Sequence, residues 1–175
     1  SEVGIRFKFY SDFLEFLELL DKHKVDFLLV GGYAVIIHGY TRSTGDMDLW
    51  INQTTENYHN LKKVYQDFGA PIFSEEDFQS DKFDVWSIGV EPRKIEILTH
   101  VDGLIFEESK SHCNWINEND FKVPYIDFED LIKNKNVKAL NEKKTALQAE
   151  IAKIEAGLAT LDVKTEEALV SVLTL

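Results

Sequence analysis

Residues 27–51, FLLVGGYAVIIHGYTRSTGDMDLWI, constrain this chain more than any other stretch. An apolar run ends at Gly31-Gly32, and residues 33–38 are long enough for about two helical turns. Residues 39–45 form a polar loop, and residues 46–51 read as a second strand. Strand, glycine turn, short helix and returning strand predict an α/β layer arrangement. Successive strand side chains alternate between faces, so Asp46 and Asp48 project together while Met47 and Leu49 point the other way. Paired carboxylates repel unless a cation lies between them. The two glycines let backbone N–H groups approach an anion closely at a helix N-terminus. The stretch reads as a magnesium site beside a phosphate-binding turn. A plain strand-to-helix turn and solvated strand charges are the bland alternatives.

The flanking sequence supplies the other layers. Ile5, Phe7 and Phe9 form a short apolar lead, and residues 10–24 place Tyr10, Phe13, Leu14, Leu17 and Leu20 at helical spacing opposite Glu15, Glu18 and Lys22. The first strand is expected over 25–30, apolar enough to be central in its sheet. Thr54 is the expected N-cap of a helix over 55–68, with Tyr58, Leu61, Val64, Tyr65 and Phe68 facing inward and Gly69-Ala70-Pro71 stopping it. Residues 74–80 predict a short acidic surface helix. Residues 82–88 and Arg93–Leu98 alternate as two strands of a hairpin turning at 89–92. In the second of these, Lys94, Glu96 and Leu98 share one face and Ile95 and Ile97 the other. Residues 100–120 carry no regular pattern, and Pro124 makes Phe121–Tyr125 an expected edge strand. Asp127 is the expected cap of a helix beginning FEDLI, with Asp130 near the favourable end of its dipole.

At 175 residues the chain suits one domain with its own core plus an appended element, divided as 1–135 and 136–175. An apolar fraction of 44% and an aromatic fraction of 12% belong to a folded protein. A net charge of −12 works against long-range attraction to a nucleic-acid backbone, but leaves room for a local basic pocket or a nucleotide carried in as its magnesium complex. Cys113 is the single cysteine, which excludes an intramolecular disulfide and a cysteine zinc cluster and fits a reducing compartment. No run approaches about 18 apolar residues, and no charged-then-apolar leader opens the chain. The expectation is a cytoplasmic protein with no membrane partner.

The pattern changes near residue 137. Val137, Lys144, Ile151 and Leu158 fall at one heptad position and Leu140, Leu147, Ile154 and Leu161 at the other, with Glu, Lys, Gln and Ala between them. Three to four heptads predict either a homodimer through this C-terminal helix or a helix folded back on its own domain. Lys144 at a core position and Gly157 weigh slightly against the dimer. Asp162 and Val163 are expected to break the run, with Thr165 capping a last helix over 165–173.

Gly31, Gly32, Ala34, His38, Gly39, Arg42, Thr44, Asp46 and Asp48 together spell GGxAxxxHGxxRxTxDxD after an apolar strand. This pattern resembles the nucleotidyltransferase superfamily with the DNA-polymerase-beta-type palm, and most closely its bacterial abortive-infection branch. In order of elements the resemblance covers roughly residues 25–135. It implies an α/β (α+β) palm, a mixed sheet flanked by helices, here with a C-terminal helical extension. It also implies magnesium-dependent transfer of NMP from an NTP to an acceptor. Such transfer attacks the alpha phosphorus and expels pyrophosphate, and two ions roughly 3.5–4 Å apart can clamp the attacking and leaving oxygens. Magnesium keeps several waters, so two or three acids suffice.

The metal-binding and catalytic residues implied by the resemblance are Asp46, Asp48 and a third acid, with two Mg2+ ions as cofactor and Mn2+ as a substitute. Glu96, in RKIEILTH, stands in the apolar-acid-apolar setting where the superfamily carries that third acid. Asp84 competes for the role, and a surface glutamate paired with Lys94 or Arg93 is the bland reading. The implied nucleotide-binding residues are Gly31, Gly32, Arg42, Thr44 and Lys135. Arg42 either holds a triphosphate oxygen or orients an aspartate. Thr44 is read as bonding the loop backbone, and His38 as a packed or bracing residue rather than a base. Lys133 and Lys135 stand in LIKNK where relatives carry LIxNK. Relatives continue with R-x-K-D-x-x-D where this chain reads NVKALNEKK, so the resemblance stops there.

Three acceptors follow from the resemblance: a tRNA or other RNA as in toxin relatives, a partner protein as in antitoxin relatives, or a small antibiotic-like alcohol. The acidic balance weighs mildly against RNA, and the Gly-Gly and R-x-T-x-D wording leans toward the toxin component of a toxin–antitoxin or abortive-infection system. The alternative is a non-catalytic palm that binds nucleotide or a partner and assembles through its C-terminal helix. Intact, mutually repelling carboxylates argue against it.

Overall fold

The computed structural model describes residues 8–174, so Ile5 and Phe7 of the apolar lead lie outside the described residues. The chain divides into two compact units, Ser1–Asn134 and Lys135–Leu175. The elements in order are α1 (Ser11–Lys22), β1 (Phe27–Val30), α2 (Gly31–Ile37), β2 (Met47–Ile51), α3 (Thr55–Phe68), α4 (Glu75–Gln79), β3 (Val85–Val90), β4 (Arg93–Leu98), α5 (Phe106–Ser111), β5 (Asn114–Glu118), β6 (Phe121–Tyr125) and α6 (Phe128–Leu173). The strands form one mixed sheet in the order β3-β4-β2-β1-β6-β5. β2 runs antiparallel to β1 and parallel to β4, and β1 runs parallel to β6.

The sheet sits between two cores because its central strands carry apolar residues on both faces. Phe27 and Leu29 of β1 pack with Phe13, Phe16, Leu17 and Leu20 of α1 and with Leu61 and Val64 of α3. Leu28 and Val30 turn to the other face, with Trp50, Phe106, Ile126 and Leu131. Thr54 caps α3 by accepting the Asn57 N–H, and Gly69, at a φ of 84°, ends it. Asp127 likewise accepts the Glu129 N–H at 3.0 Å as α6 begins.

Three expectations fail, each for a physical reason. Residues 100–120 hold α5 and β5. The asparagines at 114 and 117 are poor strand formers, yet this segment pairs with β6 across a hairpin that Asn119 turns at a φ of 40°. That places β6 inside the sheet, not at its edge. Pro124 is tolerated there because the parallel ladder to β1 holds a single register pair, Leu29 with Tyr125, and the Ile126 N–H then bonds Leu29 O at 3.0 Å. Finally, α6 runs unbroken through Asp162 and Val163. Thr165 does not cap a new helix; its hydroxyl donates to Leu161 O one turn back at 2.9 Å. One aspartate and one valine within a helix-favouring stretch cost only about 0.7 kcal/mol each. Smaller shifts at ends put the first hairpin strand at Val85 and β1 at Phe27.

In the second unit α6 runs to Leu173, and Leu140, Leu147, Ile151, Ile154, Leu158 and Leu161 are exposed. No helix among the described residues is long and apolar enough to cross a membrane.

Candidate active site

β2 and β4 lie parallel and in register, with Met47 opposite Ile95, Asp48 opposite Glu96 and Leu49 opposite Ile97. The flanking apolar side chains are buried in the larger core. Alternation therefore sends Asp48 and Glu96 to the opposite face, where their carboxyl groups hydrogen-bond to each other. Asp84, the rival third acid, is exposed and precedes β3, and its carbonyl accepts the Thr99 N–H just past the end of β4. The structure thus brings Glu96, and not Asp84, beside Asp48.

Burial pushes the Asp48 carboxyl up to about 7, helped by the hydrogen bond and the charge of Glu96 and by the charge of Asp46, while the Gly32 N–H pulls the other way. With no cation present, Asp48 therefore keeps its proton well above the usual carboxylate range. Gly31 is built around the same carboxylate: it sits at a φ of +65°, and a Cβ there would run into Asp48 Oδ2. At the far end of the loop, a Cβ on Gly45 would run into the Pro92 carbonyl at the hairpin tip. Thr44, as expected, braces this loop, its hydroxyl donating to Asp46 O at 3.2 Å.

Asp46 lies one residue before β2, and its Oδ1 accepts the Lys94 N–H at 2.9 Å. The Lys94 ammonium lies 2.7 Å from Glu91 and 3.5 Å from Glu96. Among the described residues, no group of three or more His, Cys, Asp or Glu side chains is arranged to hold a metal ion. The donors fit magnesium in kind, being hard carboxylate oxygens, and two of them are already paired. The third, Asp46, is held by the Lys94 amide.

Arg42 is exposed on the loop between α2 and β2, and Lys135 is an exposed residue at the start of the second unit. His38 braces the chain: its Nε2 bonds the Ile126 carbonyl at 2.8 Å and its ring packs against Tyr125 and Phe128. Sequence reasoning missed the extent of the Lys94 contacts, although Lys94 and Glu96 share a strand face. It also missed Arg93 lying over the Tyr10 ring at 4.3 Å, for which no local pattern gave a signal.

No family model and no curated protein matches this chain. A solved structure does: the crystal structure of "a putative nucleotidyltransferase" from Thermotoga maritima matches it with a TM-score of 0.60 over 85% of this chain and 98% of that one, at 13% identity. The two share a fold. It is a mixed α/β architecture, a six-stranded mixed sheet flanked by helices and followed by a long C-terminal helix.

Proposed function

We propose that this chain is a magnesium-dependent nucleotidyltransferase that moves NMP from an NTP to an acceptor. The observation that carries the reading is Asp48 beside Glu96 on adjacent parallel strands, under a turn where only glycine fits. Magnesium, when bound, supplies charge neutralisation at the transferring phosphate and an activated acceptor oxygen. Asp48 and Glu96 would hold it, with Asp46 as the third acid. Burial and the neighbouring acids raise the Asp48 carboxyl, so a bound cation would displace its proton to solvent and take the carboxylate. Glu96, at the outer of the two strands, is the group to take the proton of the attacking hydroxyl. The Gly31-Gly32 backbone orients Asp48 and opens the short helix toward the triphosphate, and Arg42 is the cation assigned to it. Thr44 keeps the intervening loop in place.

The GGxAxxxHGxxRxTxDxD wording supports an acceptor of the abortive-infection kind, and with it a toxin role in the cytoplasm. The acceptor is then an RNA end such as that of tRNA, a protein, or a small alcohol. Incubation with each labelled NTP and Mg2+, offering tRNA, a cell lysate or no acceptor, tests the proposal. Label transfer that disappears in Asp48→Ala and Glu96→Ala is the expected result. Absence of transfer together with absence of a thermal shift by Mg-NTP would overturn it. A second reading, a non-catalytic palm that binds nucleotide or a partner, is favoured by Asp46 being engaged by Lys94. It expects the thermal shift without transfer.

A further inference from the structure

One cation reaches into the acid site from the protein itself. Lys94 is two residues before Glu96 on the same face of β4, and its side chain is 23% exposed. Its ammonium is 3.5 Å from Glu96 Oε1 and its backbone N–H donates to Asp46 Oδ1 at 2.9 Å. Asp48 is linked to the same residue through its hydrogen bond with Glu96. One residue thus engages two of the three acids directly, Glu96 through its ammonium and Asp46 through its backbone N–H, and the remaining one at second hand. These contacts hold Asp46 and Glu96 to Lys94 rather than to a common centre, in keeping with the lack of a three-ligand arrangement among the described residues.

We propose that Lys94 is an internal counter-ion that competes with a divalent cation for Glu96. The proposal rests on the nucleotidyltransferase reading above, in which these acids hold magnesium. An ammonium contributes one positive charge and three N–H donors but no coordination sphere. It satisfies Glu96 in the resting protein and yields to an ion that several oxygens can share. Glu91 makes the release inexpensive. Its Oε1 lies 2.7 Å from the same ammonium and its side chain is 70% exposed at the hairpin tip, so Lys94 keeps an ion-pair partner after leaving Glu96. Two cations competing for one carboxylate are thermodynamically linked with opposite sign. Removing the ammonium weakens the metal-free protein and tightens its hold on metal. Removing Glu91 loosens the hold on metal, because Lys94 then has Glu96 as its ion-pair partner.

The test uses the full chain and Mn2+ as probe, followed by calorimetry or by the electron paramagnetic signal of free Mn2+. Lys94→Met, which keeps the aliphatic stem, is expected to bind Mn2+ about 5- to 20-fold more tightly than the unaltered protein. Its melting temperature is expected to fall in EDTA, with the deficit shrinking at saturating Mn2+. Glu91→Gln is expected to bind Mn2+ several-fold more weakly. Equal or weaker Mn2+ binding by a cooperatively folded Lys94→Met would overturn the counter-ion role while leaving the metal site standing. If neither the unaltered protein nor the variant binds Mn2+, the magnesium reading falls and the counter-ion role with it. Should Lys94→Met not fold, the direction of the Glu91→Gln change decides.

Discussion

Asp48 shows how much one side chain depends on its surroundings. In the fold its carboxyl is held near 7 rather than 3.8, first by burial and then by Glu96 and Asp46. The folded protein therefore binds a proton that the unfolded chain releases between about pH 4 and 7. The resulting penalty is absent below that window, grows as pH rises through it and is complete above about pH 7. In EDTA, the unaltered protein should lose melting temperature relative to Asp48→Asn as pH is raised from 5 to 8. Parallel pH curves for the two proteins would remove this account. Asn57 makes the structural counterpart. It is 4% exposed, accepts the Asp26 N–H at 2.7 Å and donates to the Asp26 and Asn52 carbonyls at 2.9 and 2.8 Å. Asn57→Ala takes the partner from the Asp26 N–H and one donor each from the Asp26 and Asn52 carbonyls, which keep the Asn52 and Thr54 N–H groups, and chemical denaturation should show a loss of about 1–3 kcal/mol. The acid-x-acid spacing was legible from strand alternation alone. The Asn57 clamp was not, because a polar residue in the first turn of a helix ordinarily faces solvent.

Among the elements, α6 carries the clearest unmet need. Its heptad positions expose Leu140, Leu147, Ile151, Ile154, Leu158 and Leu161, and burying each such side chain is worth about 1.5–3 kcal/mol. The seam is self-complementary, so a second copy of the chain is the expected occupant. A parallel pair would set Lys144 against itself and Glu150 against Glu155, so antiparallel pairing is the expected form. Light scattering should give twice the chain mass, falling to a monomer in Leu147→Asp/Ile154→Asp. A monomeric unaltered protein would exclude the pairing. Helices with long apolar periodicity and clear caps, such as α3, were readable to within a residue. β5 was not, since its residues favour a loop and only pairing with β6 makes them a strand. The same pairing moved β6 off the edge where Pro124 had pointed.

At the scale of the molecule, both cores draw their buried residues from the first unit, and Leu131 is the buried residue of α6. A chain ended after Asn134 is expected to melt cooperatively within about 5 °C of the full chain at equal concentration, since it keeps every buried side chain. A molten truncated chain would show that the second unit is needed for folding. Local sequence by itself determined the strand–glycine–helix–strand unit and the heptad spacing of the last helix, because each depends only on the period of its own element. Tertiary structure alone decided which strands are neighbours. The parallel register of β2 and β4 selects Glu96 over Asp84 as the partner of Asp48, and it sets Lys94 against Asp46. Register across a sheet is settled by which apolar faces bury together, a sum over residues far apart in the chain that no local pattern contains.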